Sequence, residues 1–362
     1  MNILITGSKG FIGKNLSLYL KEKGYSLLEF NKSKTFKDLE KDLVKSDIII
    51  HLAGQNRGLK EKFNLNNIDL TRKIIKKKFL KKKFIIYTST TKVTEKSIYG
   101  KTKKTSENLL KKNRKLKNYT LSILRLPNIF GKWCKPNYNS VISTFCNNII
   151  NKKSIKVNTT KKINFLYIDD LLLMIEKIIL KKNKVLYPKI NNVYKKDLNY
   201  ISKKLHVFSK KNKVFDLDNF KNSFDKKLYS TFVSYYSKKL FSQNIKCNID
   251  KRGNFSELLK SKIKGQISFF TIKNGKSRGE HYHFSKIERF FPVSGKGFIL
   301  FKSLLNNSKF KIYFDEKNLK MIETIPGWSH KIYNTGRKDC IFICWANEVF
   351  NPKKPDTYYY KI

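Results

Sequence analysis

Apolar runs, glycine turns and amphipathic stretches alternate through the first part of the chain. Met1–Thr6 (M-N-I-L-I-T) reads as a fully buried strand, G-S-K-G-F-I-G follows, and Leu16, Leu18, Tyr19 and Leu20 mark an amphipathic helix. Ser26–Phe30 reads as a second strand, Asp47–Gly54 (D-I-I-I-H-L-A-G) as a buried strand ending in a small-residue turn, and Phe84–Thr88 as the next. This repeated alternation predicts a parallel, doubly wound Rossmann-type sheet with ligands at the C-terminal ends of its strands. Phe220, Phe224, Leu228, Phe232 and Tyr235 then recur at helical spacing, a stripe that reads as packing. From about Ile245 the period changes to short strands: G-Q-I-S-F-F-T-I, F-F-P-V-S-G-K-G-F-I-L-F, F-K-I-Y-F and C-I-F-I-C-W-A. These predict an all-β barrel or sandwich. The expected domains are therefore residues 1–244 and 245–362.

The chain has 362 residues, enough for two such domains, and is 40% hydrophobic. Its formal net charge of +51 first suggests nucleic acid or an anionic membrane surface. Only eight of the 78 basic residues are Arg, and the Lys is spread over the whole chain. Phosphate and base recognition favours Arg forks. The accompanying Asn, Ile, Phe and Tyr share A/T-rich codons with Lys, so the charge reads as genome bias and no nucleic-acid partner is expected. A surface of this sign still attracts anionic substrates such as nucleotide sugars. Five scattered Cys without C-x-x-C spacing suggest reduced thiols in a cytoplasmic protein. The chain opens on an apolar strand, so no signal peptide is expected, and no apolar run approaches the ~18 residues of a membrane span.

Gly7, Gly10 and Gly13 between a strand and a helix suit a dinucleotide: they permit a tight turn and close backbone approach to a pyrophosphate. An NAD site places an acid at the end of the second strand to bind the ribose. Here that edge reads Asn31, Lys32, Ser33, Lys34, and Glu29 lies two residues early. Lysines at this edge accept a 2′-phosphate, which points to NADPH. The stretch Thr88–Lys103 (T-S-T-T-K-V-T-E-K-S-I-Y-G-K-T-K) carries Tyr99 and, one helical turn later, Lys103. A hydride-transfer enzyme needs a proton donor for the developing alkoxide. The Lys charge is expected to lower the Tyr pKa, and a hydroxyl at the strand end, Ser89 or Thr90, bonds the same substrate oxygen.

In the β region, His281 and His283 alternate on a strand and so face one way, Glu288 follows across a turn, and His330 comes from a later strand. Three nitrogens and one oxygen suit a divalent transition metal such as Zn²⁺. The other reading is a metal-free site whose histidines act as acid–base groups.

G-S-K-G-F-I-G, H-L-A-G, T-S-T, Y-G-K-T-K, R-L-P-N-I-F-G and F-L-Y-I-D-D together resemble the extended short-chain dehydrogenase/reductase family. The resemblance implies Tyr99 as acid–base, Lys103 as its pKa partner and nicotinamide-ribose ligand, and Thr90, with Ser89 adjacent, as the substrate-orienting hydroxyl. It implies cofactor contacts at Gly7, Gly10, Phe11, Ile12 and Gly13, at Asn31 and Lys32, at Leu52, Ala53 and Gly54, and at Leu126 and Pro127. Asn128, Lys135, Asn137 and Asn139 are the implied substrate contacts, the last three in W-C-K-P-N-Y-N-S. Gly275, His281-x-His283, Glu288 and Gly295, then Pro326-Gly327-x-x-His330-x-x-x-Asn334, resemble the two motifs of the cupin family, with Pro-Gly where Pro-x-Gly is usual.

The joined pair is similar to the bifunctional reductase–cupin enzymes of capsular polysaccharide synthesis. That resemblance implies a homodimer acting on a UDP-linked 4-keto-6-deoxy-N-acetylhexosamine. The cupin would epimerise the carbon beside the ketone. The reductase would then reduce the ketone with NADPH towards UDP-N-acetyl-6-deoxy-L-talosamine, on the route to UDP-N-acetyl-L-fucosamine. The alternative is a plain NAD(P)-dependent reductase or epimerase whose cupin only binds sugar or dimerises.

Overall fold

The structure is a computed structural model. It describes the chain except residues 59, 77, 158, 160, 182–184, 211–219, 221, 245–247, 251–252, 256–264 and 349–352. Cys247 and the 244/245 boundary expected from sequence lie at or beyond the edge of the described residues. The chain divides into two compact units, residues 1–141 with 162–196, and residues 142–161 with 197–362.

In the first unit the order is β1 (Asn2–Thr6), α1 (Phe11–Glu22), β2 (Ser26–Phe30), α2 (Phe36–Lys45) and β3 (Ile48–His51). A broken helix follows: α3 (Lys60–Phe63), a π-helical turn at Asn64–Asp69 and α4 (Leu70–Ile74). Then come β4 (Lys83–Thr90), α5 (Ile98–Asn113) and β5 (Tyr119–Leu126). The strands form one parallel sheet in the order β2-β1-β3-β4-β5. Its register lines up Leu28, Leu4, Ile49, Ile85 and Leu121 across all five strands. Leu4, Ile49 and Ile85 are fully buried, each worth roughly 1.5–3 kcal/mol of transfer free energy. The near-continuous apolar strands thus mark a sheet covered on both faces. A smaller sheet of β6 (Asn128–Phe130), β7 (Ile163–Tyr167) and β8 (Val193–Lys196), with α7 (Ile168–Lys181), completes this unit.

The second unit holds α6 (Val141–Ile150, from Ile142 onward), α8 (Leu198–Ser209), α9 (Ser223–Val233) and the remaining strands. The aromatic stripe is core here: Phe220, Phe224, Leu228 and Phe232 are buried, and Phe220 lies 6.0 Å from Trp345. One antiparallel sheet contains β12 (Gln266–Ile272), β19 (Cys340–Ala346), β14 (Glu288–Ser294), β17 (Lys320–Glu323) and β9 (Ser242–Asn244). The other contains β16 (Lys309–Phe314), β15 (Gly297–Ser303), β18 (Trp328–Asn334), β13 (Ser277–Tyr282) and β20 (Tyr358–Tyr359). A short hairpin, β10 (Asn248–Asp250) with β11 (Gly253–Phe255), stands apart from both ladders.

Phe314 against Phe342 and Phe290 against His330 bring the two sheets face to face. Among the described residues no ladder joins them, so the architecture is two stacked antiparallel sheets rather than a hydrogen-bonded closed barrel. Behind β14, Arg289 forms a buried ion pair with Glu323 (2.8 Å), and Tyr229 of α9 donates to the same carboxylate (2.5 Å). Cys134, Cys146, Cys340 and Cys344 are buried, and no disulfide joins them among the described residues. No helix among them is long and apolar enough to cross a membrane.

Candidate active and metal sites

The order of the parallel sheet reverses between β1 and β3, and ligands of open α/β sheets bind at such a switch point. Thr6 pairs with His51 there, so the two strand ends are adjacent. Gly7 has φ +74, and a Cβ on it would sit 2.9 Å from the Ala53 backbone. A Cβ on Gly13 would meet Gly7 O at 2.2 Å and Ser8 O at 2.6 Å, so α1 packs on the loop only because Gly13 has none. The α1 N-cap, Gly10, makes no side-chain cap, leaving first-turn N–H groups at the sheet's C-terminal edge, where they suit an anion. Phe11, Ile12 and the Leu52–Ala53–Gly54 turn share that edge. His51 bridges Thr6 Oγ1 (2.7 Å) and Thr71 Oγ1 (3.0 Å), and burial, with the Lys103 charge second, lowers its pKa to about 3.

At the end of β2, the Phe30 carbonyl accepts from Gly7 N at 2.7 Å, which brings Asn31 beside the glycine loop. Asn31 Oδ1 is taken by Ser33, Lys34 is paired with Asp42 (3.2 Å), and Glu29 is paired with Lys21 (2.6 Å). Lys32 stands exposed.

Tyr99 and Lys103, the pair expected from sequence to transfer the proton, lie on α5, which starts where Ser97 caps Gly100 N. Lys103 is buried, donates to the Thr88 carbonyl at 2.9 Å, and lies 4.7 Å from the centroid of the Tyr87 ring. A Cβ on Gly54 would lie 3.1 Å from its Nζ, so the ammonium borders the β3 turn. Burial lowers the Lys103 pKa to about 8, against the raising effect of Glu107. Burial raises Tyr99 to about 12. The shift of Tyr99 is thus upward, set by desolvation, and opposite to the lowering expected from Lys103. Thr90 lies opposite Leu126 in the ladder, which puts the hydroxyl level with the Leu126–Pro127–Asn128 segment. Its Oγ1 accepts from Lys92 N at 3.2 Å. Ser89, the residue before it on the strand, faces the other side of the sheet and is buried. Asn128 is exposed, as are Lys135, Asn137 and Asn139 on the loop after β6, where Lys135 lies 6.0 Å from the Tyr138 ring.

Sequence reasoning missed Asn67. It sits buried on the π-helical turn, accepts from Gln55 N (2.7 Å) and donates to Gln55 O (3.0 Å) and Thr102 Oγ1 (2.9 Å). It thereby ties the Gly54–Gln55 turn to the α5 turn between Tyr99 and Lys103. Nothing in its local sequence, N-L-N-N-I-D, sets it apart from Asn64 and Asn66.

In the second unit, potential ligand atoms of His281, His283, Glu288 and His330 all lie within 4.8 Å of one another. A bulge aims the first: Gly279 (φ +102) and Glu280 (φ +68) shift the register so that His281 pairs with His330. Glu288 Oε2 lies 3.2 Å from His283 Nε2 and 3.6 Å from His330 Nε2, and Lys286 Nζ lies 3.3 Å from Oε1. Burial lowers His281 to about 4, with the His283 charge second, and drives His330 well below the usual range with His281 second. Burial works to raise Glu288, but His283, His330 and Lys286 outweigh it and hold the carboxyl well below its ordinary value. Neutral rings at His281 and His330 beside an ionised Glu288 are protonation states that suit a divalent ion. The buried His330 Nδ1 has no hydrogen-bond partner among the described residues. The donor set therefore fits a metal by number, type and spacing.

Residues 3–193 match the NAD dependent epimerase/dehydratase family. The chain belongs to that family. Residues 248–358 match the polysaccharide biosynthesis C-terminal domain, so this member carries the second domain as well. It is 34% identical over 375 residues to the UDP-2-acetamido-2,6-beta-L-arabino-hexul-4-ose reductase of Pseudomonas aeruginosa, covering 99% of this chain and 98% of that one. It is similar to the crystal structure of the capsular polysaccharide assembling protein CapF from Staphylococcus aureus, with 36% identity, TM-score 0.66 and full coverage of both chains. UDP-glucuronic acid 4-epimerase from Bacillus cereus shares the fold of the first part, with 22% identity, TM-score 0.52, and coverage of 58% of this chain and 85% of that one.

Proposed function

We propose that this epimerase/dehydratase-family chain is a two-site nucleotide-sugar enzyme. Its second unit epimerises a UDP-4-keto-6-deoxy-N-acetylhexosamine beside the ketone. Its first unit reduces the 4-ketone with NADPH towards UDP-N-acetyl-6-deoxy-L-talosamine. The observation that carries the reading is the end-to-end likeness, across both units, to a relative named as a reductase of a UDP-linked hexul-4-ose.

Bound NADPH supplies the hydride that adds to the ketone carbon. Tyr99 gives its proton to the ketone oxygen; with its pKa near 12 the phenol is in the acid form that a reduction needs. Thr90 orients that oxygen, with Ser89 adjacent in sequence, and Asn128, Lys135, Asn137 and Asn139 hold the nucleotide sugar. Lys32 is the group left free to meet a 2′-phosphate, since Lys34 is paired with Asp42.

In the cupin-like unit, His281, His283, Glu288 and His330 hold one divalent ion, Zn²⁺ by donor type. Such an ion stabilises negative charge developing on a ketone oxygen. A carbon beside a ketone is acidic enough for a positioned base, and reprotonation from the other face inverts it. Reduction then removes the epimerised ketone and draws the reversible step forward.

The test feeds the UDP-4-ketosugar in deuterated water without NADPH. Deuterium entering the ring beside the ketone is the expected result. No incorporation, with reduction intact once NADPH is added, would leave a plain reductase with a binding module. The expected homodimer is checked by light scattering on the same sample.

A further inference from the structure

The last residues of the chain return to the turn that carries the metal ligands. Asp356 is the hub of that contact. Its Oδ1 accepts from Phe284 N at 2.8 Å. Its Oδ2 accepts from Ser285 N at 2.7 Å, Lys286 N at 2.8 Å and Ser285 Oγ at 3.1 Å. Its backbone carbonyl faces His283 Nδ1 at 2.5 Å.

The following residues continue the same wrap. Thr357 Oγ1 accepts from Lys286 Nζ at 3.1 Å. β20 pairs Tyr358 with Tyr282 and Tyr359 with His281. The Tyr360 carbonyl accepts from Ser329 Oγ at 3.1 Å, next to His330. One short segment thus meets the chain at or beside every histidine of the cluster.

A carbonyl oxygen carries no proton, so the proton of the His283 bond resides on Nδ1. That leaves Nε2 to face Glu288 Oε2 at 3.2 Å. At that distance the ring nitrogen and the carboxylate share either a proton or a cation, and in the four-ligand reading they share the cation. Fixing the tautomer and ring orientation of a metal-binding His through its other nitrogen is how outer residues tune such sites.

We propose that Asp356 is a positioning residue for the metal centre. By holding the His283–Lys286 turn and the Nδ1–H tautomer of His283, it sets the affinity for the ion. The proposal rests on the reading that His281, His283, Glu288 and His330 bind a divalent metal.

The experiment measures Zn²⁺ affinity of the full chain by competition with a chromophoric chelator, for wild type, Asp356→Ala and Asp356→Asn. Imidazole nitrogen NMR of the same metal-free proteins reads the His283 tautomer. Asp356→Ala is expected to bind Zn²⁺ about 10–100-fold more weakly and to lose the single Nδ1–H tautomer. Asp356→Asn, which keeps one acceptor oxygen, falls between, and it alone is read if the Ala variant does not fold. A purely structural Asp356 would lower the thermal midpoint and leave both readouts unchanged. Affinity within about twofold of wild type in a folded variant therefore overturns the proposal. Wild type that binds no Zn²⁺ refutes the four-ligand reading instead; an unchanged tautomer in the variants then rejects the Asp356 coupling on its own.

Discussion

Replacing Lys103 by Met should make the protein inactive and, at neutral pH, more stable. Lys103 is fully buried, and burial lowers its pKa from 10.5 to about 8. Between those values the unfolded chain binds more protons than the folded one, so stability rises with pH across that window. The penalty for the buried charge is fully present below pH 8 and relieved as pH climbs towards 10.5. From the two pKa values it amounts to about 3 kcal/mol at pH 7 and about 1 kcal/mol at pH 9.5. Met removes that cost but also the bond to the Thr88 carbonyl, worth about 1–2 kcal/mol. The variant should therefore gain roughly 1–2 kcal/mol at pH 7, and the gain should vanish by pH 9.5. Urea unfolding of both proteins at the two pH values, read on the transition of the first unit, measures the difference. Activity is assayed beside it as NADPH oxidation. Parallel pH profiles for wild type and variant would refute the reasoning, because Lys103 would then titrate as it does in water.

Three further outcomes are expected. Tyr99→Phe should lower ketone reduction by about 10²–10⁴-fold while the NADPH dissociation constant stays near wild type, since only the proton donor is lost; near-wild-type turnover would remove Tyr99 from its role. Lys32→Ala should lower kcat/KM for NADPH by about tenfold and leave NADH unchanged, as loss of one charge-assisted phosphate contact implies; a wild-type NADPH:NADH ratio at or below one would contradict NADPH outright. His281→Ala should lose most bound Zn²⁺ by elemental analysis, because three ligands remain, yet still reduce an already epimerised ketone.

The parallel sheet was legible because its central strands are apolar on both faces and because β1 and β3 end in turns of small residues. The glycine loop was legible for the same reason. Gly7 and Gly13 are where backbone meets backbone, and the sequence shows the requirement as a missing side chain. The β region was legible as strands but not as a pairing scheme. Alternation says which face a residue takes, whereas ladder closure depends on register between distant strands. The helices at residues 198–233 pack with those strands, and no local pattern reports that choice of partner. Asn67 and Asp356 were illegible for a related reason. Asn67 acts through bonds to a turn 12 residues away, and Asp356 through a histidine 73 residues away. Side-chain bonds over such separations leave no period in the sequence.

Charge was the feature most easily misread. A Lys one turn from a Tyr suggests a lowered phenol pKa, because Coulomb attraction is the visible term. Inside the structure desolvation is larger, and it moves both groups towards their neutral forms, Tyr99 up and Lys103 down. The same cause acts in the second unit, where burial keeps His281 and His330 neutral. Glu288 escapes it only because two imidazoles and the Lys286 ammonium surround one carboxylate. Burial therefore favours a protonated phenol at Tyr99 in one unit and unprotonated rings at His281 and His330 in the other, as the proposed roles require. Acid has opposite consequences for the two. Lowering pH leaves Tyr99 as the neutral phenol, whereas below about pH 4 protons compete with a metal for the His281 ring. Epimerisation should accordingly fail at a higher pH than reduction as the solution is acidified, and pH–rate profiles of the two half-reactions, measured separately, decide it.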